Sequence, residues 1–275
     1  MAKRPAARKI NAPSRRGLAA AALPKFIDPQ LCKLVDTAPS GPEWVHEPKL
    51  DGYRMAARLA AGKVQLLTRN GLDWTHRYPA TVAALKKLKL KSAYIDGELC
   101  GVDPDGLPSF SLTQQASDGE KDIALVYYGF DLLHLNGKDT ASLPLTERKA
   151  LLQPLIEGKD GFQYVSHIKA DGEAYRAQAC EMELEGIVSK KIDAPYAPDN
   201  RGLWVKAKCR PRQEFVIIGW TNSDTGGVFG ALLLGYYDDA GKLAYAGRCG
   251  SGFTDRLATP VRFARWKPRK RTTQS

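Results

Sequence analysis

The segment Glu47-Pro48-Lys49-Leu50-Asp51-Gly52-Tyr53-Arg54 concentrates the residue types that phosphate chemistry needs. In an extended chain side chains alternate with period two, so Glu47, Lys49 and Asp51 share a face. By itself, a lysine between two carboxylates is the ordinary ion cluster of a strand face. Three other segments change its company. Asp96 and Glu98 stand two apart inside the apolar run from Tyr94 to Leu99. Glu185 opens Gly186-Ile187-Val188-Ser189-Lys190, while Lys206 and Lys208 share one face of the run that begins at Trp204. Like charges at that spacing repel unless an anion lies between them. Together the carboxylates suit a hard divalent cation and the lysines suit phosphates, as a nucleoside triphosphate with Mg²⁺ or Mn²⁺ requires.

The elements that must position these residues read as mixed. Runs rich in β-branched and aromatic residues at 45–59, 64–68, 93–102, 124–133, 186–191 and 203–208 predict strands. Amphipathic spacing predicts helices over 78–90, 145–156 and 172–184, the second with a capped start at Thr146. Beyond Arg212 three further strands, 215–220, 230–237 and 242–247, follow one another, with a hairpin turn at Asp238 to Gly241. The fold class is therefore α+β with a small β unit behind it. No G-x-x-x-x-G-K-[ST] loop and no strand-borne G-x-G-x-x-G is present, so neither glycine-rich cradle holds the phosphates.

Composition narrows the class further. The chain has 275 residues and a net charge of +11, and 43% of its residues are hydrophobic. That excludes collagen-like and wholly disordered chains, and no apolar run approaches the roughly 18 residues of a membrane span. Residues 1–25 and 261–275 hold thirteen Lys and Arg and no acid, which exceeds the whole net charge. Basic tails of this kind raise affinity for a polyanion through counterion release, and they are equally the composition of solvated, disordered ends. The five cysteines are far apart without a C-x-x-C pair, which argues against a zinc module or a disulfide framework and for a reducing compartment.

The ordered series Lys49-Leu50-Asp51-Gly52-Tyr53-Arg54, Arg69-Asn70-Gly71, Asp96-Gly97-Glu98, Phe130-Asp131, Glu185 to Lys190 and Trp204 to Lys208 resembles the nucleotidyltransferase motifs of ATP-dependent DNA ligases. From Leu23 to Gly252 the wording most resembles the ligase domain of bacterial non-homologous end-joining ligases. The resemblance implies an antiparallel-sheet adenylation domain at 26–212, an OB-fold barrel at 213–260 and basic tails at either end. It implies ATP as cofactor, with AMP carried on Lys49 as nucleophile, and Asp51, Lys206 and Lys208 assisting. Glu47 would meet the adenine edge and Phe130 its face, Arg54 and Arg69 phosphate or ribose, and Lys190, Lys206 and Lys208 the phosphates. Glu98 would meet ribose or metal, and Glu185 metal. Apart from the resemblance, Phe130 and the tryptophans are more simply explained as core, and Asp131 as an ordinary turn residue.

The implied partners are nicked duplex DNA, a Ku-type DNA-end-binding protein and a repair polymerase or primase. The implied setting is the bacterial cytoplasm, with the protein a monomer. The arginine-containing R-x-D-K element that ends family members is not found beyond Gly252. A truncated barrel and slow self-adenylylation are therefore expected, or a chain isolated already carrying AMP. The alternatives are an RNA ligase, a GTP-dependent capping-type enzyme, and a weakly active nucleic-acid-binding module.

Overall fold

The computed structural model describes residues 18–120, 122–200, 202–209, 215–221, 230–238 and 240–250. Residues 1–17, Arg212 and the end of the chain from 251 lie outside these residues; the last part of the stretch expected as a disordered basic tail, 18–25, is instead placed, with Ala20 bridged to Lys138 and the Pro24 carbonyl accepting from Arg58 at 2.7 Å. The chain divides into two units, Met1–Cys209 and Arg210–Ser275.

The first unit is built on two sheets. The larger joins β3 (Tyr53–Ala60), β4 (Lys63–Thr68), β5 (Ser92–Val102), β7 (Ala124–Leu135) and β8 (Lys138–Asp139) in the order β4-β3-β5-β7-β8; β6 (Pro108–Ser109) pairs with β5 and β9 (Phe162–Tyr164) with β7. The smaller runs β1-β11-β10-β2, from β1 (Lys33–Leu34), β2 (Trp44–Pro48), β10 (Gly186–Lys191) and β11 (Trp204–Lys208). Pairing is antiparallel except between β1 and β11 and between β7 and β9. The run expected at 45–59 is thus two strands in different sheets. Lys49 to Gly52 cross between them, because Gly52 packs where a Cβ would stand 2.5 Å from the Leu99 carbonyl oxygen.

Among the described residues four α-helices complete the unit: α1 (Pro79–Lys87), α2 (Phe110–Ser117), α3 (Leu145–Ile156) and α4 (Gly172–Glu181). α2 has no counterpart in the sequence reading, since its eight residues are mostly small and polar. Thr113 nevertheless fixes it, accepting a hydrogen bond from the Gly101 amide at 2.8 Å. The cap expected at Thr146 is absent, because Pro144 stands at the N-cap without a side-chain bond. One apolar core, including Met55, Leu66, Leu85, Ile95, Leu132 and Leu152, lies between the large sheet and α1 and α3. A second, with Tyr94, Phe130, Leu133, Val165, Tyr196 and Trp204, draws on both sheets, and a third of small residues seats α4 on the smaller sheet.

The structure also corrects the cysteine reading. Cys180 in α4 and Cys209 just past β11 form a disulfide with Cα atoms 5.4 Å apart. Spacing in sequence hid it, because the helix and the strand end meet only in the folded chain.

In the second unit β12 (Val216–Thr221), β13 (Ala231–Tyr237) and β14 (Leu243–Cys249) form an antiparallel sheet, with the hairpin turn between β13 and β14 where the sequence places it. Among the described residues, no helix is long and apolar enough to cross a membrane.

Candidate active site

Register across the smaller sheet assembles one wall of a site. Glu47 on β2 stands opposite Val188 on β10, and Val188 opposite Lys206 on β11. Two residues along, Val45, Lys190 and Trp204 form the next row on the same face. The large sheet supplies the facing wall through Arg54 on β3, Glu98 on β5 and Phe130 on β7. Between them lies a cavity of about 400 Å³. A register irregularity lies beside it, where Asp96 pairs with Asp131 but Gly97 with Gly129, so that Phe130 is the extra residue on β7, a place where bulges commonly re-aim side chains.

Eight of the eleven expected site residues line this cavity: Glu47, Lys49, Arg54, Arg69, Glu98, Phe130, Lys190 and Lys206. Glu185 and Lys208 adjoin it through Lys49. Asp51 is exposed and is not part of the lining.

Lys49 follows β2, and its amide donates to the Gly186 carbonyl at 2.9 Å. That places its ammonium on the Glu185 carboxylate, which Lys208 also meets at 2.7 Å. Burial would raise the Glu185 carboxyl, but hydrogen bonds from Lys208 and Lys49 outweigh it and hold it below the ordinary value. Gly186, at φ +145°, lies so close to the Ala207 carbonyl oxygen that no Cβ fits, and the close approach of β10 to β11 depends on it.

Arg54 is committed to structure. Its Nε and Nη2 donate to the two Asp96 oxygens at 3.0 and 2.6 Å, and Nη1 donates to the Gln30 carbonyl at 2.8 Å. Tyr196 donates to the same Asp96 at 2.7 Å. The guanidinium therefore forms a fixed cation in the wall, 5.2 Å from the Phe130 ring centre and 5.5 Å from that of Trp204. Burial of Glu98 raises its carboxyl to about 7, against the opposing pull of Arg54 and Lys49.

The inner end is aromatic. Phe130 and Trp204 meet edge to face at 6.1 Å, and Trp204 and Tyr196 at 5.6 Å. Lys190 lies over the Trp204 ring at 4.0 Å from its centre and pairs with Glu47 at 2.6 Å without hydrogen-bond geometry. Asp131 is not a turn residue: it is fully buried in β7 and takes two hydrogen bonds from Arg148, at 2.7 and 2.9 Å.

Lys149, absent from the expected set, donates to Glu47 at 2.5 Å and to the Val165 carbonyl at 2.7 Å. A signal for it exists in the sequence. Positions 145, 148, 149, 152 and 156 fall on one helical face, so Arg148 and Lys149 interrupt an apolar stripe and must be paired inside.

The described residues contain no group of three or more His, Cys, Asp or Glu suited to a metal. Mg²⁺ commonly takes one or two carboxylates and leaves the remaining positions to phosphates and water, and Glu98 and Glu185 provide donors of that kind.

The model of the ATP dependent DNA ligase domain matches residues 29–208, and that of the ATP dependent DNA ligase C terminal region matches 225–273, which takes in much of the stretch read from sequence as a basic tail. The chain is 41% identical over 265 residues to the multifunctional non-homologous end joining protein LigD of Pseudomonas aeruginosa, covering 94% of this chain and 31% of that one. The LigD of Mycolicibacterium smegmatis is 32% identical over 78% of this chain and 28% of its own length. The chain thus spans less than a third of these curated relatives. Among solved structures, a mycobacterial DNA ligase D complexed with ATP and MES superposes with a TM-score of 0.62 at 31% identity, over 86% of this chain and 76% of that one. The ligase domain of Mycobacterium tuberculosis LigD gives 0.61 at 30% identity, over 86% and 77%.

Proposed function

The chain belongs to the ATP-dependent DNA ligase family, and on that premise we propose that it seals 5′-phosphate/3′-hydroxyl nicks in duplex DNA, within non-homologous end joining, through AMP carried on Lys49. The observation that carries this reading is the position of Lys49 on a cavity of about 400 Å³ with an aromatic inner end and a cationic lining. Nucleotide sites need that combination of an apolar base slot and phosphate-directed charge.

In the first step Lys49 Nζ bonds to the α-phosphorus of ATP, and pyrophosphate leaves with the electrons of the broken P–O bond. AMP then passes to the 5′-phosphate of the nick and frees Lys49. Attack by the 3′-hydroxyl joins the strands and releases AMP. Only a neutral amine attacks, while a free lysine titrates near 10.4. Lys49 rests on Glu185, so it must leave that carboxylate before its nitrogen can face the α-phosphorus. A bound divalent cation would offset phosphate charge from Glu98 and Glu185. Phe130 would stack on the base, Glu47 would accept from its amino edge, and Arg69, Lys206 and Lys208 would meet phosphates, whereas Lys190, expected there too, is held by Glu47 and Trp204 at the base end. Arg54 and Asp51 would hold the wall and the Lys49 loop.

Residues 26–212 would form the adenylation domain and 213–260 the OB-fold domain. On the same premise a Ku-type end-binding protein and a repair polymerase or primase would be partners, in the bacterial cytoplasm. The RNA and GTP alternatives gain nothing from the matches described above.

Incubation with α-labelled ATP and Mg²⁺, then with nicked duplex, tests the reading. Label is expected on the wild-type chain and absent from Lys49→Ala, and it should discharge as sealed DNA appears. Equal labelling of both chains would overturn the assignment of the nucleophile. Nucleic-acid binding without label or sealing would favour a binding module.

A further inference from the structure

Lys149 is a fully buried cation that the three-step chemistry does not use. Its ammonium contacts three parts of the cavity wall at once: the Glu47 carboxylate at 2.5 Å, the Val165 carbonyl at 2.7 Å and, more weakly, the Phe130 carbonyl at 3.4 Å. Glu47, Val165 and Phe130 all line the cavity. They come from β2, the segment after β9, and β7, so a single side chain on α3 ties together elements of both sheets at the aromatic end.

The carboxylate so held is 2% exposed. Burial would raise it, but Lys149 first and Lys190 next outweigh burial and keep it ionised below the ordinary value. Burial and then Lys149 push His167 down to about 4, so near neutral pH it adds no charge to this cluster. Lys149 takes one lone pair of Oε1 and Lys190 sits at Oε2. A carboxylate has about four acceptor positions, so two remain for a ligand. An ionised carboxylate donates nothing: it suits a base edge bearing an amino group and opposes one bearing a carbonyl.

We propose that Lys149 is a positioning residue for base selection, holding Glu47 so that the cavity takes a 6-amino purine nucleotide and refuses a 6-oxo one. This rests on the nucleotide-site reading above. It assigns selectivity to a residue outside every motif by which the sequence resembles its family. Without Lys149, Glu47 would keep Lys190 as its partner but lose the contact that fixes its plane against Val165 and Phe130.

The test measures self-adenylylation kcat/KM against its inosine counterpart, using α-labelled ATP and α-labelled ITP, for wild type, Lys149→Met, Glu47→Gln and the double variant. For Lys149→Met the ATP-to-ITP ratio is expected to fall by at least about tenfold, mainly through KM for ATP, since hydrogen-bond-reading sites owe large discrimination to correctly paired groups. Glu47→Gln is expected to lower the ratio as well, and the double variant to lower it no further, because Lys149 acts through Glu47. A merely structural lysine would reduce active protein and leave the ratio alone. If Lys149→Met does not fold, Lys149→Gln, which retains a donor, serves in its place with the same expectation of a lowered ratio.

A wild-type ratio in the folded Lys149 variant, or an additive fall in the double variant, would overturn the inference while leaving the ligase reading standing. Failure of the wild-type chain to label with ATP would overturn that reading and this inference with it.

Discussion

At the scale of single residues, the site is a set of charges whose neighbours decide their state. Glu98 shows this through pH. Burial raises its carboxyl from an ordinary 4.5 to about 7, so the folded chain keeps a proton that the unfolded chain has given up. Below 4.5 both states are protonated and nothing is lost. Between 4.5 and 7 only the folded state holds the proton, so stability falls as pH rises, and the whole cost is present above 7. Glu98→Gln is neutral throughout and should escape this loss. Urea unfolding of both chains at pH 5 and 7.5 checks it: the variant's advantage should grow with pH, and an advantage independent of pH would count against the burial argument. The lysine at 49, the carboxylates and the cationic pairs are visible as residue types in the sequence. Their pairing is not, because Lys49 with Glu185, or Arg54 with Asp96, depends on strands far apart in the chain.

At the scale of elements, α3 is fastened to β7 by charge as well as by apolar contact. Asp131 and Arg148 are both fully buried, and Arg148 also donates to the Leu143 and Ala194 carbonyls at 2.5 and 2.9 Å. Breaking one partner of such a pair strands the other in low dielectric and costs about 3–5 kcal/mol. Asp131→Asn should therefore lower unfolding stability by several kcal/mol, and denaturant titration measures it; a change within experimental scatter would mean that water replaces the carboxylate. The long strands and α3 were legible because their periodicity is strong over 8 residues or more. The split of 45–59 into two strands was not, since nothing in an apolar alternation says where a chain leaves one sheet for another. α2 escaped notice for a different reason: its fixing comes from Thr113 beneath Gly101 and not from a stripe of its own. Arg148 and Lys149 were legible in principle from their place on the apolar face. They were missed because a charged pair at a helix start resembles a solvated turn.

At the scale of the molecule, chemistry on the first unit and contact with a polyanion separate by their response to salt. Self-adenylylation needs only a small nucleotide in the cavity, while sealing needs a duplex, whose binding weakens as counterion release is opposed. Raising salt from 50 to 200 mM should therefore depress sealing by tenfold or more while labelling of Lys49 changes little, an order set by several phosphate contacts. A gel assay that follows both products in one reaction decides it, and parallel loss of the two would show that salt acts on the nucleotide site itself.

The bond between Cys180 and Cys209 encloses Glu185, Lys190, Trp204, Lys206 and Lys208 in one covalent ring. A single protease cut anywhere inside that ring leaves the two fragments joined, and they part only when thiol is added. The carboxyl-terminal half of the nucleotide site is thus tethered as one piece even in a nicked chain, an insurance against clipping that the other half, carrying Lys49, does not share.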